Sequence, residues 1–556
     1  MVKKHINTKR ILFTLLFVVL LLQAGNVCVG QTFRPDESII REPGAFPLYP
    51  DPAVGDDNIE CIALNNLYDG LVFAHPIEGV KPHLATEWTV SPDGLKYTFK
   101  LREGVKFHNG DELTAEDVVF SMKRLLTIGE GFAYLYTDHV DDVKATGKYT
   151  VEFTLKEPLG PFVDMLVRLY IVNKNQVMAN LVTPGQYGEL GDYGKRWLLM
   201  NDAGSGPYTI REMELESHML AEKFEDYWGG FHENAPNFIK LIATGEPVTV
   251  RTLLGRRELE ITDMWQPMES LMAAARLEGI ELAYLPCAQN LQIMLNTKKA
   301  PTDDIHFRKA LAYCMDYNTV SEKIYVGSPV AEGPVIAMVP GHKKDLPRYE
   351  RNLEKAKEEL AKSKYYDQLS KYPVELAWIA EVPEEEKIAL LFQANAADIG
   401  VKVDIQKKQW GQVIADAMRP ETTTNATTMF VGLHYPEAGS LLKSRYHSST
   451  CGGWEQMEWL QDDEIDMLID KALGTIDREK RFAIYAEVQD RLVELCPTIW
   501  LLDHAEVRAY QAGYVDWPLA DHMKAGGEIL CPLLGTFGYY REMKVYPEKR
   551  AALLGK

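Results

Sequence analysis

Between Tyr97 and Leu125 the hydrophobic period of the chain switches from two residues to three or four, which excludes a purely helical and a purely sheet-built fold alike. Tyr97, Phe99 and Leu101 alternate with Thr98, Lys100 and Arg102, the pattern of a half-buried strand. Gly104 turns the chain, Val105 and Phe107 alternate again, and Asn109-Gly110 is a strong turn signal. Thr114 with Asp117 three residues on approximates a capping box, and Val118, Met122 and Leu125 follow at helical spacing. Tyr149, Val151, Phe153 and Leu155 predict another strand, stopped at Pro158. The first half therefore mixes antiparallel strands with helices.

The second half has longer helices joined to strands. Glu384 to Ile399 has a helical period and ends at Gly400, a natural C-cap residue, after which Val401, Val403 and Ile405 alternate. This helix–glycine–strand unit is the building block of an α/β sheet. Further on, Ile465, Leu468, Ile469 and Leu473 form one apolar stripe, and Asp477 caps a second helix that Pro497 closes. There is no internal repeat and no low-complexity linker. With 556 residues, room for roughly three to four domains, the pattern predicts two α/β lobes connected by short crossings.

The composition, 46% hydrophobic and 25% charged, is that of a soluble globular protein and excludes a disordered or polytopic membrane chain. The formal charge of −20 repels phosphate backbones, so no nucleic-acid partner is expected. Residues 1–30 run against this charge: Lys3, Lys4, Lys9 and Arg10 precede an apolar run from Ile11 to Leu22 broken only by Thr14. Twelve helical residues span about 18 Å, short of the roughly 30 Å hydrocarbon core, so a signal peptide is favoured over an anchor. Cleavage is placed after Gly30. Cys28 lacks the leucine and small residue that precede a lipidated cysteine, so no lipid anchor is expected and the mature protein is read as soluble and extracytoplasmic. The remaining cysteines, Cys61, Cys287, Cys314, Cys451, Cys496 and Cys531, are scattered; one or two disulfides and a set of buried thiols are both compatible with that spacing.

Catalytic motifs are missing. There is no H-E-x-x-H, Walker loop, G-x-S-x-G elbow or EF-hand, so no metal, cofactor or catalytic residue is assigned. Ser440-Leu441-Leu442-Lys443 satisfies S-x-x-K, but its companion motifs are absent and chance accounts for it. Gly204-Ser205-Gly206 runs straight into Pro207 and reads as a turn leading to a strand at Tyr208–Ile210. His434-Tyr435, with Trp410 and Trp454, supplies flat apolar surface and a polar tip suited to a sugar, a peptide bond or a cation. The alternative places both tryptophans in the core and makes His434 a satisfied polar residue.

Trp88-Thr89-Val90-Ser91-Pro92-Asp93-Gly94, Tyr97-Thr98-Phe99, Leu101-Arg102-Glu103-Gly104-Val105-Lys106-Phe107-His108-Asn109-Gly110 and Leu113-Thr114-Ala115-Glu116-Asp117-Val118 together resemble the signature of the family 5 extracellular solute-binding proteins, the peptide, nickel and oligosaccharide receptors of ABC importers. Asn66–Leu71, Gly204–Tyr208, Asp226–Gly230 and Phe307–Ala312 are similar to further landmarks of that family. The resemblance implies an α/β, two-lobed periplasmic-binding-protein fold with an extra α+β subdomain in the first lobe. By analogy the first lobe is discontinuous (31–57, 200–285 and 505–556), the extra subdomain is 58–199 and the second lobe is 286–504.

It also implies a monomeric receptor that captures a small solute between its lobes and delivers it to a membrane permease and its ATPase. Implied ligand contacts are the Asp56-Asp57-Asn58 loop, Tyr134, Trp410, His434 and Trp500, to which the residue reading adds Tyr435 and Trp454. In peptide-binding relatives an aspartate at the place of His434 holds the ligand ammonium. An imidazole cannot replace it as counter-ion, so an opine, an oligosaccharide or a modified peptide gains on an ordinary oligopeptide. A secreted hydrolase on a related scaffold, or a receptor that presents its ligand to a signalling protein, are the competing functions.

Overall fold

The computed structural model describes residues 37–44 and 49–555; the export signal, its cleavage site and Cys28 lie outside them. Glu37 and helix Pro547–Leu553 belong to a small unit of their own, in which the Arg550 guanidinium donates to the Glu37 carbonyl at 2.7 Å. Residues 38–546 form the other unit.

Within it, the stretch where the period switches forms a four-stranded antiparallel sheet. Its strands are, from edge to edge, Ala85–Val90, Lys96–Leu101, Thr150–Leu155 and Val140–Gly147. Tyr97, Phe99, Leu101, Val151, Phe153 and Leu155 bury one face, and the Phe99 and Phe153 rings meet edge to face at 5.7 Å. Helix Ala115–Ile128 begins where expected: the Asp117 carboxylate accepts from the Thr114 amide at 2.9 Å and from its hydroxyl at 3.0 Å. Val105 and Phe107 are buried but build no second hairpin. The turn at Asn109-Gly110 comes so soon that only an isolated Lys106–Glu112 bridge forms.

The landmark motifs, far apart in sequence, converge on one buried carboxylate. Asp69 accepts from His83 Nε2 at 2.7 Å, Ser205 Oγ at 2.9 Å, Trp228 Nε1 at 2.9 Å and the Tyr227 hydroxyl at 3.2 Å. Gly204 and Gly206 permit this closeness, because a Cβ at Gly204 would lie 1.9 Å from the Leu67 carbonyl oxygen and one at Gly206 2.5 Å from the Leu67 carbonyl carbon. Ser205-Gly206-Pro207 then leads into strand Tyr208–Glu214, part of a second four-stranded sheet with His218–Lys223, Phe238–Ala243 and Ile39–Gly44.

A five-stranded mixed sheet carries the second half. Its strands in chain order are β1 (Glu281–Leu295), β2 (Val374–Ile379), β3 (Val403–Lys408), β4 (Ala426–Gly432) and β5 (Thr498–Tyr510), laid side by side as β3-β2-β4-β1-β5. β2 is parallel to β3 and to β4, through helices α1 (Glu384–Ala397) and α2 (Trp410–Ala417); β4 is antiparallel to β1. Leu291, Ile293, Ile499 and Leu501 face a core shared with Phe307, Leu311, Ile388 and Phe392. The two longest strands, β1 and β5, are the crossings. Their far halves pair with each other from Glu281↔Tyr510 onward, and Arg508 ties β5 to strand Ile39–Gly44 through Glu42 at 2.6 Å. The fold is thus a two-lobed α/β architecture. All six cysteines among the described residues are free thiols, five of them buried, which decides for the buried-thiol alternative.

Candidate functional site

In α/β sheets the carboxyl ends of parallel strands open onto the ligand-binding crevice. Here β2 runs into Glu381, β3 into Trp410 and β4 into His434, so three loops from one sheet edge bring these residues together. Both carboxylate oxygens of Glu381 accept from the Trp410 amide at 3.1 Å. The Trp410 ring meets Trp454 edge to face at 5.2 Å, and both remain partly exposed rather than entering the core. The residue after Trp454, Glu455, lies 2.9 Å from His434 Nε2. A carboxylate only accepts, so Nε2 carries the hydrogen in that bond.

The facing wall comes from the first half of the chain. Asp51 binds Arg124 through two 2.6 Å contacts, a bidentate pair that fixes the segment leading to Asp56. Glu60 accepts from the amides of Tyr49, Asp56 and Asp57, at 3.1, 2.9 and 3.3 Å, and Asp57 caps helix Asn58–Leu67 by accepting from the Glu60 amide at 2.9 Å. Asn58 Oδ1 accepts from the Gly535 amide at 3.2 Å. Asp57 and Asn58 thus hold the loop, and Asp56 is the side chain it presents.

Tyr134 sits on the short turn Gly131–Leu135, with its ring 5.4 Å from the His434 imidazole and nearly perpendicular to it. It keeps 49% of its surface accessible, yet surrounding protein, followed by the charges of Glu455 and Asp56, pushes its phenol well above the ordinary range. Asp56 shows the same combination: it is exposed, but burial raises its carboxyl, with His434 and Arg168 opposing and Glu455 reinforcing. A group that water reaches but that protein surrounds lines a cleft. Asp56 and Tyr134 therefore face His434 and Glu455 across a narrow gap. Glu60, deeper behind Asp56, is pushed up to about 8 by burial and then by Asp57.

Arg168 bridges the gap from behind. Its Nε donates to the His434 carbonyl at 2.9 Å and its Nη1 to the Leu534 carbonyl at 3.3 Å, while the guanidinium lies 4.7 Å above the Phe132 ring. Two of the expected contacts lie elsewhere. Tyr435 is buried beside Glu437, which Arg481 holds through contacts of 2.8 and 2.7 Å. Trp500 is buried on the opposite face of β5, donating to the Tyr446 hydroxyl at 2.8 Å. Tyr435 lies in the bend between β4 and helix Ala438–Tyr446, and Trp500 lies between the core residues Ile499 and Leu501 of β5.

Sequence reasoning missed Arg168, Glu381 and Glu455, which carry no motif and reach the site only through the fold. It also missed a small cavity of about 40 Å³ next to the Glu381 loop, lined by Trp265, Gln266, Tyr325, Glu384 and His504 among others. The Ser440–Lys443 pair has no nucleophile geometry. Ser440 Oγ accepts from the His434 amide at 2.8 Å, and Lys443 points to Asp470 at 3.1 Å. Among the described residues one group has metal-ligating types, Glu212, Glu214 and His218 on a surface hairpin. Glu212 approaches His218 Nε2 at 3.4 Å and Glu214 approaches Nδ1 at 3.6 Å, opposite edges of one ring, which is the arrangement of ion pairs rather than of a shared metal.

Two lobes joined by paired long strands, with an aromatic and acidic crevice between them, are the architecture of a solute-binding protein. The chain belongs to the bacterial extracellular solute-binding proteins, family 5, whose middle-region model matches residues 79–453. It is 27% identical over 539 residues to the probable D,D-dipeptide-binding periplasmic protein DdpA of Escherichia coli K12, covering 94% of this chain and 96% of that one. It is 26% identical over 487 residues to the dipeptide-binding protein of the same organism, covering 82% and 88%. Its fold matches the Helicobacter pylori periplasmic binding protein DppA in complex with the peptide STSA with a TM-score of 0.75, at 21% identity over 91% of this chain and 98% of that one. No helix among the described residues is long and apolar enough to cross a membrane.

Proposed function

We propose that this protein is the soluble, monomeric receptor of an ABC importer, exported by its signal peptide without a lipid anchor, and that it captures a peptide-like solute and passes it to a membrane permease and ATPase. The observation that carries the ligand reading is the pairing of Asp56 and Tyr134 on one wall with His434 and Glu455 on the other. Glu455 stands where it can supply the negative charge that His434 cannot. Asp56 and Glu455 repel each other across the gap, and a ligand ammonium between them removes that repulsion, so binding favours closure. Trp410 and Trp454 supply the flat surface for the adjoining backbone. Relatives named for dipeptides and D,D-dipeptides support a short peptide or peptide analogue over a sugar. We divide the lobes at 57/58, 199/200, 285/286 and 504/505, so that closure bends the chain where β1 and β5 cross.

The test is a thermal-shift screen of ligand-stripped protein with dipeptides of L and D configuration, amino sugars and opines, together with mass spectrometry of any solute released on denaturation. A ligand at one hundred times its dissociation constant stabilises the fold by about 2.7 kcal/mol, a visible rise in Tm. Expected is a rise with free-amine peptides and none with their N-acetylated forms. Hydrolysis of the added peptides, or a rise with neutral sugars alone, overturns the proposal.

A further inference from the structure

Beside the cleft the two halves of the chain touch along a second seam. The first half contributes residues 158–160 and the helical turn Phe162–Met165, which runs on through Leu166–Arg168. The second contributes Glu437, helix Arg478–Leu495 and the turn that joins it to helix Asp463–Leu473. The Gly160 amide donates to the Leu473 carbonyl at 2.8 Å. A Cβ on Gly160 would lie 2.5 Å from the Thr475 carbonyl oxygen, so glycine is what lets the two backbones meet this closely. Arg168 closes the other end of the seam through its bond to the His434 carbonyl.

One side chain in the seam is poorly matched. Asp164, half-buried, enters from the first half and faces a second carboxylate, Glu437. Arg481 lies near both but is committed elsewhere. Its Nε and Nη2 hold Glu437 at 2.8 and 2.7 Å, and its Nη1 donates to the Thr475 and Ile476 carbonyls at 2.8 and 2.9 Å. The other groups around Asp164 are Arg478, which lies over the Phe482 ring at 5.1 Å, the Tyr435 phenol and the buried Cys531 thiol. The Tyr485 hydroxyl donates to Glu437 at 3.0 Å. Burial, and then Glu437, raise the Asp164 carboxyl to about 6, with Arg478 and Arg481 opposing. When the seam opens, Asp164 returns to water and Glu437 stays behind with Arg481, so the carboxyl falls back to the ordinary aspartate range of about 4. Asp164 therefore favours the closed seam fully below that range, and the contribution is lost as pH rises through 6.

Resting on the reading of two lobes that close over a solute, we propose that closure of this receptor takes up a proton at Asp164, so that acid shuts the lobes and tightens the hold on the solute. The ligand is not the only group that removes a repulsion between the walls. A ligand ammonium does so between Asp56 and Glu455, and a proton does so between Asp164 and Glu437.

The Gly160 amide reports the seam directly, because its bond to Leu473 exists only while the two halves touch. Hydrogen–deuterium exchange is followed by mass spectrometry on the whole ligand-stripped protein, wild type and Asp164→Asn, at pH 8 and pH 5. Each rate is taken relative to that of a free peptide at the same pH. At pH 8 Asp164→Asn is expected to protect the Gly160 amide at least tenfold more than wild type does, and this advantage is expected to shrink about tenfold at pH 5. Comparing the two proteins at one pH cancels the other titrating groups, Asp56 and Glu455 included. Asp164→Ala, which removes the charge with a different shape, is expected to behave alike. An advantage of equal size at both pH values, no advantage in either variant, or an amide unprotected throughout overturns the proposal. No ligand enters this measurement. A pH-dependent seam in a protein that shows no thermal shift with Ala-Ala leaves the proton linkage standing and removes the peptide reading, whereas a shift without such a seam does the reverse.

Discussion

In the proposed ligand site Glu455 and Trp410 are expected to act by different forces, charge and packing, and the difference is measurable. Trp410 contributes packing area, so Trp410→Ala is expected to weaken ligand binding by about 1–3 kcal/mol with little change in Tm. Tyr435 and Trp500 are buried away from the cleft, and Tyr435→Ala or Trp500→Ala is expected to cost about 3–5 kcal/mol of stability, as for other large aromatic truncations in cores. Calorimetry and thermal melts on these three variants and the wild type separate the groups. Glu455 contributes charge: Glu455→Gln is expected to reduce affinity for a free-amine ligand about tenfold at low salt and less as salt screens the site. Glu385 gives a pH signature. Its carboxyl is raised to about 8 in the folded protein, so its contribution to stability is full below the ordinary glutamate range and is lost as pH rises through 8. Glu385→Gln keeps an oxygen to accept from the Ile379 amide and the Thr428 hydroxyl, 2.9 and 2.8 Å away, but cannot ionise. Its Tm is therefore expected to fall less than that of wild type between pH 5 and pH 8.

At the scale of elements, the family signature turns out to be structural chemistry. The landmark segments around Asp69, Gly204 and Trp228 are held together because the Asp69 carboxylate takes hydrogen bonds from Ser205, Tyr227 and Trp228, and a fourth from His83. Asp69→Ala removes the acceptor and leaves those donors buried and unmatched. The expected result is a loss of about 3–5 kcal/mol, read as a fall in the midpoint of urea unfolding. The helices and strands were legible because their periodicity is local. Alternation marked Lys96–Leu101 and Thr150–Leu155, and Asp477 caps Arg478–Leu495 by accepting from the Lys480 amide at 2.9 Å. The false strand at Val105–Phe107 shows the limit of that locality: alternation reports which side chains are buried, and a ladder also needs a partner at the right distance.

For the molecule as a whole, Arg168 is the connection that links the walls. It belongs to the segment before Leu169, yet its hydrogen bonds end on the carbonyls of His434 and Leu534, hundreds of residues away. Arg168→Met is expected to lower the closed population and so weaken apparent affinity about tenfold without touching the ligand, since affinity scales with the fraction of competent protein. Small-angle scattering should show a larger radius of gyration for the variant at equal ligand concentration, and an unchanged radius with unchanged affinity would reduce Arg168 to a packing role.

The sequence alone determined the α/β class, because hydrophobic period, caps and turn residues act over a few neighbours, and its resemblance to a known signature gave the family. Only the tertiary structure decided which side chains share the cleft. Tyr435 and Trp500 turn inward, while Glu455, Glu381 and Arg168 come into it from separate elements. Their physical reason is distance: an electrostatic or hydrogen-bonded partner is defined by a few ångströms in space, and no local pattern along the chain records that the fold will bring Glu455 to His434.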